Sequence, residues 1–410
     1  MKNCSLVFLC GVVLLLGFIV PVTGAVTPLW IEHGMKYGEL SGVVISEDGS
    51  TILTGGDQII SLDPEGKNRW TGWSATCLAV SSDGDYILSS QGQELRLISA
   101  AGKIIWEKNM DITITDIAMT PNASLIAATG GGRTRTLDIM GEGIASNITM
   151  DVKHIRILPG GDRIVVTTNT DVHLSNKTLL SEWSEEGTGQ NLVEVSPARS
   201  TFVTAINTRV RLYNRTGGIL WDNKFPHGNA YSLAFSRDGS TIVIGTDGSR
   251  VLVIDRNGTL LWREGAGNWI TSVAVSDDGN TIAAGSLDKK LYVYNRAGTL
   301  LGTFTAQTPI NDRSVAVSRD GSLIVLVDDT AIYAFLRSSF PGGVAAGETT
   351  VETSPEMTPE TPSPATTRPT TTITFKTFTP IATGTPESPL PPAVLLVALG
   401  ILLLFRPGRS

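Results

Sequence analysis

Between residues 26 and 340 short apolar runs alternate with polar turns, and one turn recurs. The phrase is an apolar strand, then Ser-x-Asp-Gly, then a second apolar strand. It reads SEDGSTIL from Ser46, SSDGDYIL from Ser81, SRDGSTIV from Ser236, SDDGNTIA from Ser276 and SRDGSLIV from Ser318. Three degenerate copies stand between them: TPNASLIA from Thr120, LPGGDRIV from Leu158 and SPARSTFV from Ser196. The fourth position of the turn falls at Gly49, Gly84, Ala123, Gly161, Arg199, Gly239, Gly279 and Gly321. That is a period of about 39 residues, the length of one supersecondary unit rather than of a domain. No stretch in this region carries a helical period.

Each unit parses into four strands rich in β-branched and aromatic residues and joined by Gly, Asp and Asn turns, an antiparallel meander. In the seventh unit these are TSVAVS, TIAAGS, KLYVYN and TLLGTFT. A lone four-stranded sheet cannot bury both faces, so repeated sheets must pack on one another around an axis. The pattern predicts an all-β chain, an eight-bladed β-propeller over residues 26–340, with seven blades as the alternative if the fourth unit, irregular around Trp183, is not a blade. The eighth unit has three strands, RSVAVS, SLIVLV and AIYAFL, and then its strands stop. VTPLWIEHG at Val26 to Gly34 has the look of the missing fourth, so an N-terminal strand is expected to close the last blade.

A second phrase marks the turn into the outermost strand. Gly66, Gly102, Gly217 and Gly258 each precede a tryptophan by four, at Trp70, Trp106, Trp221 and Trp262, while the seventh unit substitutes Gly302. Gly suits a positive-φ turn, and the Trp is expected in the groove between neighbouring blades, where a large ring buries much area. The Gly-x-x-x-Trp turn resembles the tryptophan-docked blades of the quinoprotein (PQQ-like) propeller superfamily, and the Ser-x-Asp-Gly turn resembles that of WD40-like propellers. The WD40 Gly-His and terminal Trp-Asp pairs are missing. The resemblance implies the fold and leaves activity open. Quinoprotein dehydrogenases add a vicinal disulfide beneath their cofactor, which a single remaining cysteine cannot make.

The ends add a location. Residues 1–25 read as a secretory signal: Lys2, an apolar core from Leu6 to Val20, and small residues before Ala25. Cys4 and Cys10 leave with it, so Cys77 alone remains, in the setting of a small packed residue. Residues 341–389 are rich in Thr and Pro and read as a disordered stalk. The apolar run 390–405 reads as a C-terminal transmembrane anchor or sorting helix, followed by a basic cytoplasmic tail at 406–410. This tail resembles the sorting signals of archaeal surface proteins, although the Pro-Gly-Phe tripeptide of one such group is absent. The expected location is the extracellular face of the cell membrane. Five Asn-x-Ser/Thr triplets, at Asn122, Asn147, Asn176, Asn214 and Asn257, fall in expected turns or edge strands as glycosylation candidates.

Net charge of −7 excludes a nucleic-acid partner, which needs a concentrated basic surface. Near the axis the innermost strands carry small residues on one face, Ala79, Ala118, Ala234, Ala274 and Ala316. Blades four and five break this rule with Arg156 and Glu194, and two residues earlier on the same face blades three and four carry Asp116 and His154. Charges there need partners, and two readings fit: a small anionic or polar ligand site, or an ion pair between blades. The starts of the same strands form a polar row, including Lys153, Tyr231 and Arg313, that predicts a collar at the channel mouth. The loops leading in carry Trp73, His227 and Trp269, aromatics suited to sugar stacking or to a protein partner, or to capping blade ends. With Tyr231 and Arg313 they form the candidate binding rim.

No catalytic signature is present: no His-Glu-x-x-His, no Gly-x-Ser-x-Gly, no phosphate loop. Four scattered histidines predict no metal site, and no cofactor is expected. The sequence therefore predicts a non-catalytic, surface-tethered binding or scaffold module for an unknown protein or glycan. The alternatives are an extracellular propeller enzyme acting on glycans, a lyase or hydrolase, and a passive part of the envelope.

Overall fold

The computed structural model describes residues 26–34, 38–148, 152–186, 191–196, 198 and 200–340. The expected signal, stalk, anchor and basic tail lie outside the described residues. Within them the strands form eight four-stranded antiparallel sheets, each a meander. Blade 1 runs from Leu40 to Gly72, blade 2 from Cys77 to Asn109, blade 3 from Asp116 to Ile148 and blade 4 from Val152 to Glu186. Blade 5 runs from Asn191 to Lys224, blade 6 from Ala230 to Gly265 and blade 7 from Ile270 to Thr305. Blade 8 joins Val315–Leu336 to Trp30–His33, with Trp30 opposite Ala334 and His33 opposite Ala331. The ring is thus closed by its first strand, and eight is the blade count. Trp183 lies in a regular outer strand, Ser181–Glu186, opposite Leu174.

The buried apolar residues fall into eight clusters, and each cluster joins two adjacent blades. The core is therefore a ring of seams rather than one centre. Both faces of each sheet are buried, which is why the middle strands read as unbroken apolar runs such as TIVIG and TIAAG. The closing seam, with Leu40, Ile52, Val325 and Ile332, holds the two ends of the repeat region together.

The tryptophans dock across these seams. The Trp70 ring covers Gly102 of the next blade, where an added Cβ would meet it at 2.7 Å, and Trp262 covers Gly298 in the same way. Each indole N–H donates to the carbonyl two residues before that glycine, Trp70 to Ala100 and Trp262 to Arg296, both at 2.8 Å. This explains why Gly298 is present in a blade whose own tryptophan position is Gly302: it receives a ring without donating one. Blade 3 has Ala145 at the donor position, and the receiving turn of blade 4 carries Leu179 with φ 60° in place of glycine. The leucine is buried against Ala145. The carbonyl left without an indole is taken by the Thr136 hydroxyl, which donates to Lys177 O at 3.0 Å.

The antiparallel order gives the ring two unlike faces. Connections between blades and the turns between second and third strands lie on one, here the loop face. The Ser-x-Asp-Gly turns and the turns before the outer strands lie on the other, the turn face. In the Ser-x-Asp-Gly turn the Ser276 hydroxyl donates to Asp278 Oδ1 at 2.6 Å, Asn280 N–H donates to the same oxygen, and Thr281 N–H donates to Ser276 Oγ. Sequence and turn geometry agree here because every polar group of the phrase is used.

Candidate functional site

The innermost strands surround an axial cavity of about 710 Å³. Part of its wall is apolar, with Val43, Leu78, Ile117, Val193, Leu233, Val273 and Val315. The charged groups gather on the side of blades 3 to 5 and at the end that opens on the loop face.

Asp116 is the hub. Its carboxylate accepts from Arg156 Nη1 at 3.0 Å, from Arg313 Nη2 at 3.2 Å and from the Ile155 backbone N–H at 3.0 Å. His154 Nδ1 lies 3.6 Å away, outside hydrogen-bonding distance. Arg156 turns its other edge to Glu194 of the next blade, at 2.7 and 3.1 Å. Asp116 is 2% exposed, so the charge survives only because of these partners. Burial alone would push its carboxyl up; Arg156, His154 and Arg313 overcome this and hold it well below the usual carboxylate range. Burial likewise works against the Arg156 cation, and Glu194 and Asp116 more than offset it. Such a carboxylate is a poor general acid, which needs a pKa near the working pH.

Of the cluster read from the sequence, Asp116, His154, Arg156 and Glu194 are together. Arg313, read as a rim residue, joins them from blade 8, three blades round the ring, so its side chain crosses the lumen. Its backbone is left-handed, φ 56°, a conformation that non-glycine residues hold at a cost and that concentrates at ligand clamps. This reach was not legible, because nothing in the pattern marks a positive φ at an arginine.

The polar collar is not a uniform ring. Thr271 is buried and donates to Ile310 O at 2.5 Å, while Thr76 and Thr115 turn their hydroxyls to carbonyls of their own blades. Lys153, Tyr231 and Arg313 of that row line the cavity. Lys153 and Tyr231 are the extra residues of β-bulges, where Val152 pairs with Thr168 and His154 with Thr167, and Ala230 with Thr246 and Ser232 with Gly245. A bulge re-aims one side chain, here toward the mouth.

The rim aromatics divide. Tyr231 and Trp269 are 36% and 43% exposed, with ring centroids 5.8 Å apart. Trp73, φ 33°, is in another sector of the rim and lies edge-on to the docked Trp70. His227 Nε2 is 2.7 Å from Arg263 Nη1; its pKa is lowered by slight burial and by the charges of Arg263 and Arg250.

The turn-face end of the axis holds a network the sequence did not disclose. Arg237 of blade 6 pairs with Glu47 of blade 1, and Arg319 pairs with Asp277 at 2.6 Å. All four are the variable residue of their Ser-x-Asp-Gly turns, a position with no apparent pattern along the chain. Cys77 is a free, buried thiol. Among the described residues no group of His, Cys, Asp and Glu is arranged to hold a metal ion, and no helix is long and apolar enough to cross a membrane.

A family model described as "WD domain, G-beta repeat" matches residues 258–295, from the outer strand of blade 6 through the third strand of blade 7. The chain is an eight-bladed β-propeller, one repeat of which is WD40-like. Comparison with curated proteins finds no match. Among solved structures, the computationally designed Ika8 protein is similar in fold, with a TM-score of 0.63, 16% identity, and coverage of 73% of this chain and 96% of that one. In all, 1816 chains of solved structure are similar to this propeller. So widespread a fold does not select a function.

Proposed function

We propose that this propeller is a non-catalytic binding module that works through its loop face, held outside the cell by the apolar run 390–405. The observation that carries the reading is the Tyr231–Trp269 pair. Two large rings stand half-exposed beside the mouth of a cavity whose buried charges, Asp116, Arg156 and Glu194, pair with one another, a surface that gains by being covered. The ring seams hold the face rigid, so little ordering entropy is lost on docking. Asn122, Asn176, Asn214 and Asn257 stand in turn-face turns, so glycans there would leave the loop face free. Asn147 is the poorest acceptor, since its amide donates across a seam to Leu179 O at 3.2 Å.

The test is saturable capture from the cell's own envelope fraction by the full chain. Capture should be lost in Trp269→Ala and kept in an Arg256→Ala control on the turn face. Equal capture by both variants would overturn the assignment of the face, and no saturable capture would shift the weight to a passive envelope part.

A further inference from the structure

We infer that the loop-face mouth of the axial cavity is a site for an acidic sugar residue, a hexuronate at the end of a glycan or free. The inference rests on the binding-module reading and gives it a ligand class.

Three independent features meet at this mouth. The first is a platform: the Tyr231 and Trp269 rings are tilted by 52° at a centroid distance of 5.8 Å, and both are exposed. The apolar C–H face of a sugar stacks on such rings, and each exposed ring has area to give. The second is positive charge with donors to spare. Lys153 is exposed and forms no ion pair among the described residues, although a bulge turns it to the cavity. Arg313 commits Nη2 to Asp116, while its Nε stands 4.0 Å from Asp312 Oδ2, too far for a hydrogen bond. Two cations thus face the mouth with N–H groups available to a carboxylate, the partner whose planar oxygens a guanidinium fork matches. The third is an acceptor. The Asp312 side chain is 63% exposed and lines the same cavity, so it can accept hydrogen bonds from sugar hydroxyls.

Arg313 reaches across the lumen to Asp116, so the charged cluster narrows the channel below the mouth. A neutral hexose would use the platform and Asp312 but leave Lys153 without an anion and the free N–H groups of Arg313 without an acceptor. A polyanion such as a nucleotide would meet Asp312 and lacks enough cations here. One carboxylate, several hydroxyls and an apolar face match what the mouth offers. The strained φ of Arg313 fits the same role, since it fixes the guanidinium before ligand arrives and so lowers the cost of binding.

The experiment is a titration of the full chain with glucuronate and galacturonate, as monosaccharides and short oligosaccharides, against glucose and galactose, read by tryptophan fluorescence and calorimetry. Saturable binding of a uronate should be at least about tenfold tighter than that of the matching neutral sugar, the worth of one charge-assisted pair. Lys153→Gln should remove most of this preference with no change in the thermal unfolding midpoint, and Trp269→Ala should weaken acidic and neutral sugars alike. Equal affinity for acidic and neutral sugars would overturn the uronate assignment while leaving a sugar-binding module. Absence of saturable uronate binding up to ~10 mM would overturn the site as drawn, whereas the module reading would then stand or fall by the envelope capture. Binding unaffected by Lys153→Gln and Trp269→Ala would also overturn it by placing the sugar elsewhere.

Discussion

Blades 6 and 7 and blades 3 to 5 are built on one repeat, and they differ in what it carries at the axis. In blades 6 and 7 the turns are complete, with Asp238 and Asp278 in place, and the inner strands present Ala234 and Ala274. In blades 3 to 5 the turns are degenerate, and the corresponding inner positions of blades 4 and 5 are Arg156 and Glu194, with Asp116 and His154 two residues earlier on the same face in blades 3 and 4. The family match falls on the regular side; the Asp116–Arg156–Glu194 chain of charges falls on the irregular side. The contrast teaches that regularity secures the ring while departure from it marks local chemistry, as expected where function overrides local consistency.

The comparison breaks most sharply at Asp116. Asp116→Ala should cost about 3–5 kcal/mol, because Arg156, Arg313 and the Ile155 N–H all lose a buried acceptor. Denaturant unfolding checks this, and a loss under 1 kcal/mol would mean the cluster is solvated rather than structural. Acid gives a second handle. The folded-state pKa of Asp116 is depressed, so its stabilisation is complete above the unfolded value near ~3.9 and fades as pH falls toward the lower folded value. The wild type should therefore lose stability below about pH 4 more steeply than Asp116→Asn, which has no proton to take up there. The slopes will not become flat, since turn aspartates such as Asp238 and Asp320 are depressed as well.

The seams offer the next largest effect. If Leu179 replaces the missing ring of blade 3, then Ala145→Trp and Leu179→Gly should each destabilise, the first by overpacking and the second by leaving a cavity. Together they rebuild the arrangement seen between Trp106 and Gly141. The double variant should recover about 1–3 kcal/mol relative to the sum of the two, read as a coupling energy in a double-mutant cycle. Additive losses would show that blade 4 is shaped by something other than the absent tryptophan.

These residues also show what was legible beforehand. The blade count and ring closure followed from the spacing of Gly49 through Gly321 and from the orphan PLW, because each blade needs four strands to bury its faces. The meeting of Arg156 and Glu194 followed from equal positions in adjacent repeats. The approach of Arg313 to Asp116 did not, since it joins blades that are not neighbours. The pairing of Arg237 with Glu47 was hidden for the same reason. The division of the rim aromatics was hidden because loops lack the period that fixes strands. Compensation by Leu179 and Thr136 was invisible because its elements lie in different repeats and replace a residue that is absent.

The smallest effect sharpens the turn half of the comparison. In blade 7 burial would raise the Asp278 carboxyl, but the Ser276 hydroxyl and the Asn280 N–H more than offset it, and the pKa is lowered. Blade 3 has Asn122 at this position, accepting from Ser124 N–H at 3.2 Å. Asn122→Asp should convert that neutral bond into a charge-assisted one and stabilise the protein by about 0.5 kcal/mol at neutral pH. The gain should vanish as acid protonates the new carboxylate, because stability from a depressed carboxyl is present only above that titration. Thermal unfolding of the two proteins at pH 7 and pH 3 would show it. A gain that persists at pH 3 would assign the benefit to turn shape rather than charge, and the degenerate turns of blades 3 to 5 would then owe their sequence to backbone geometry.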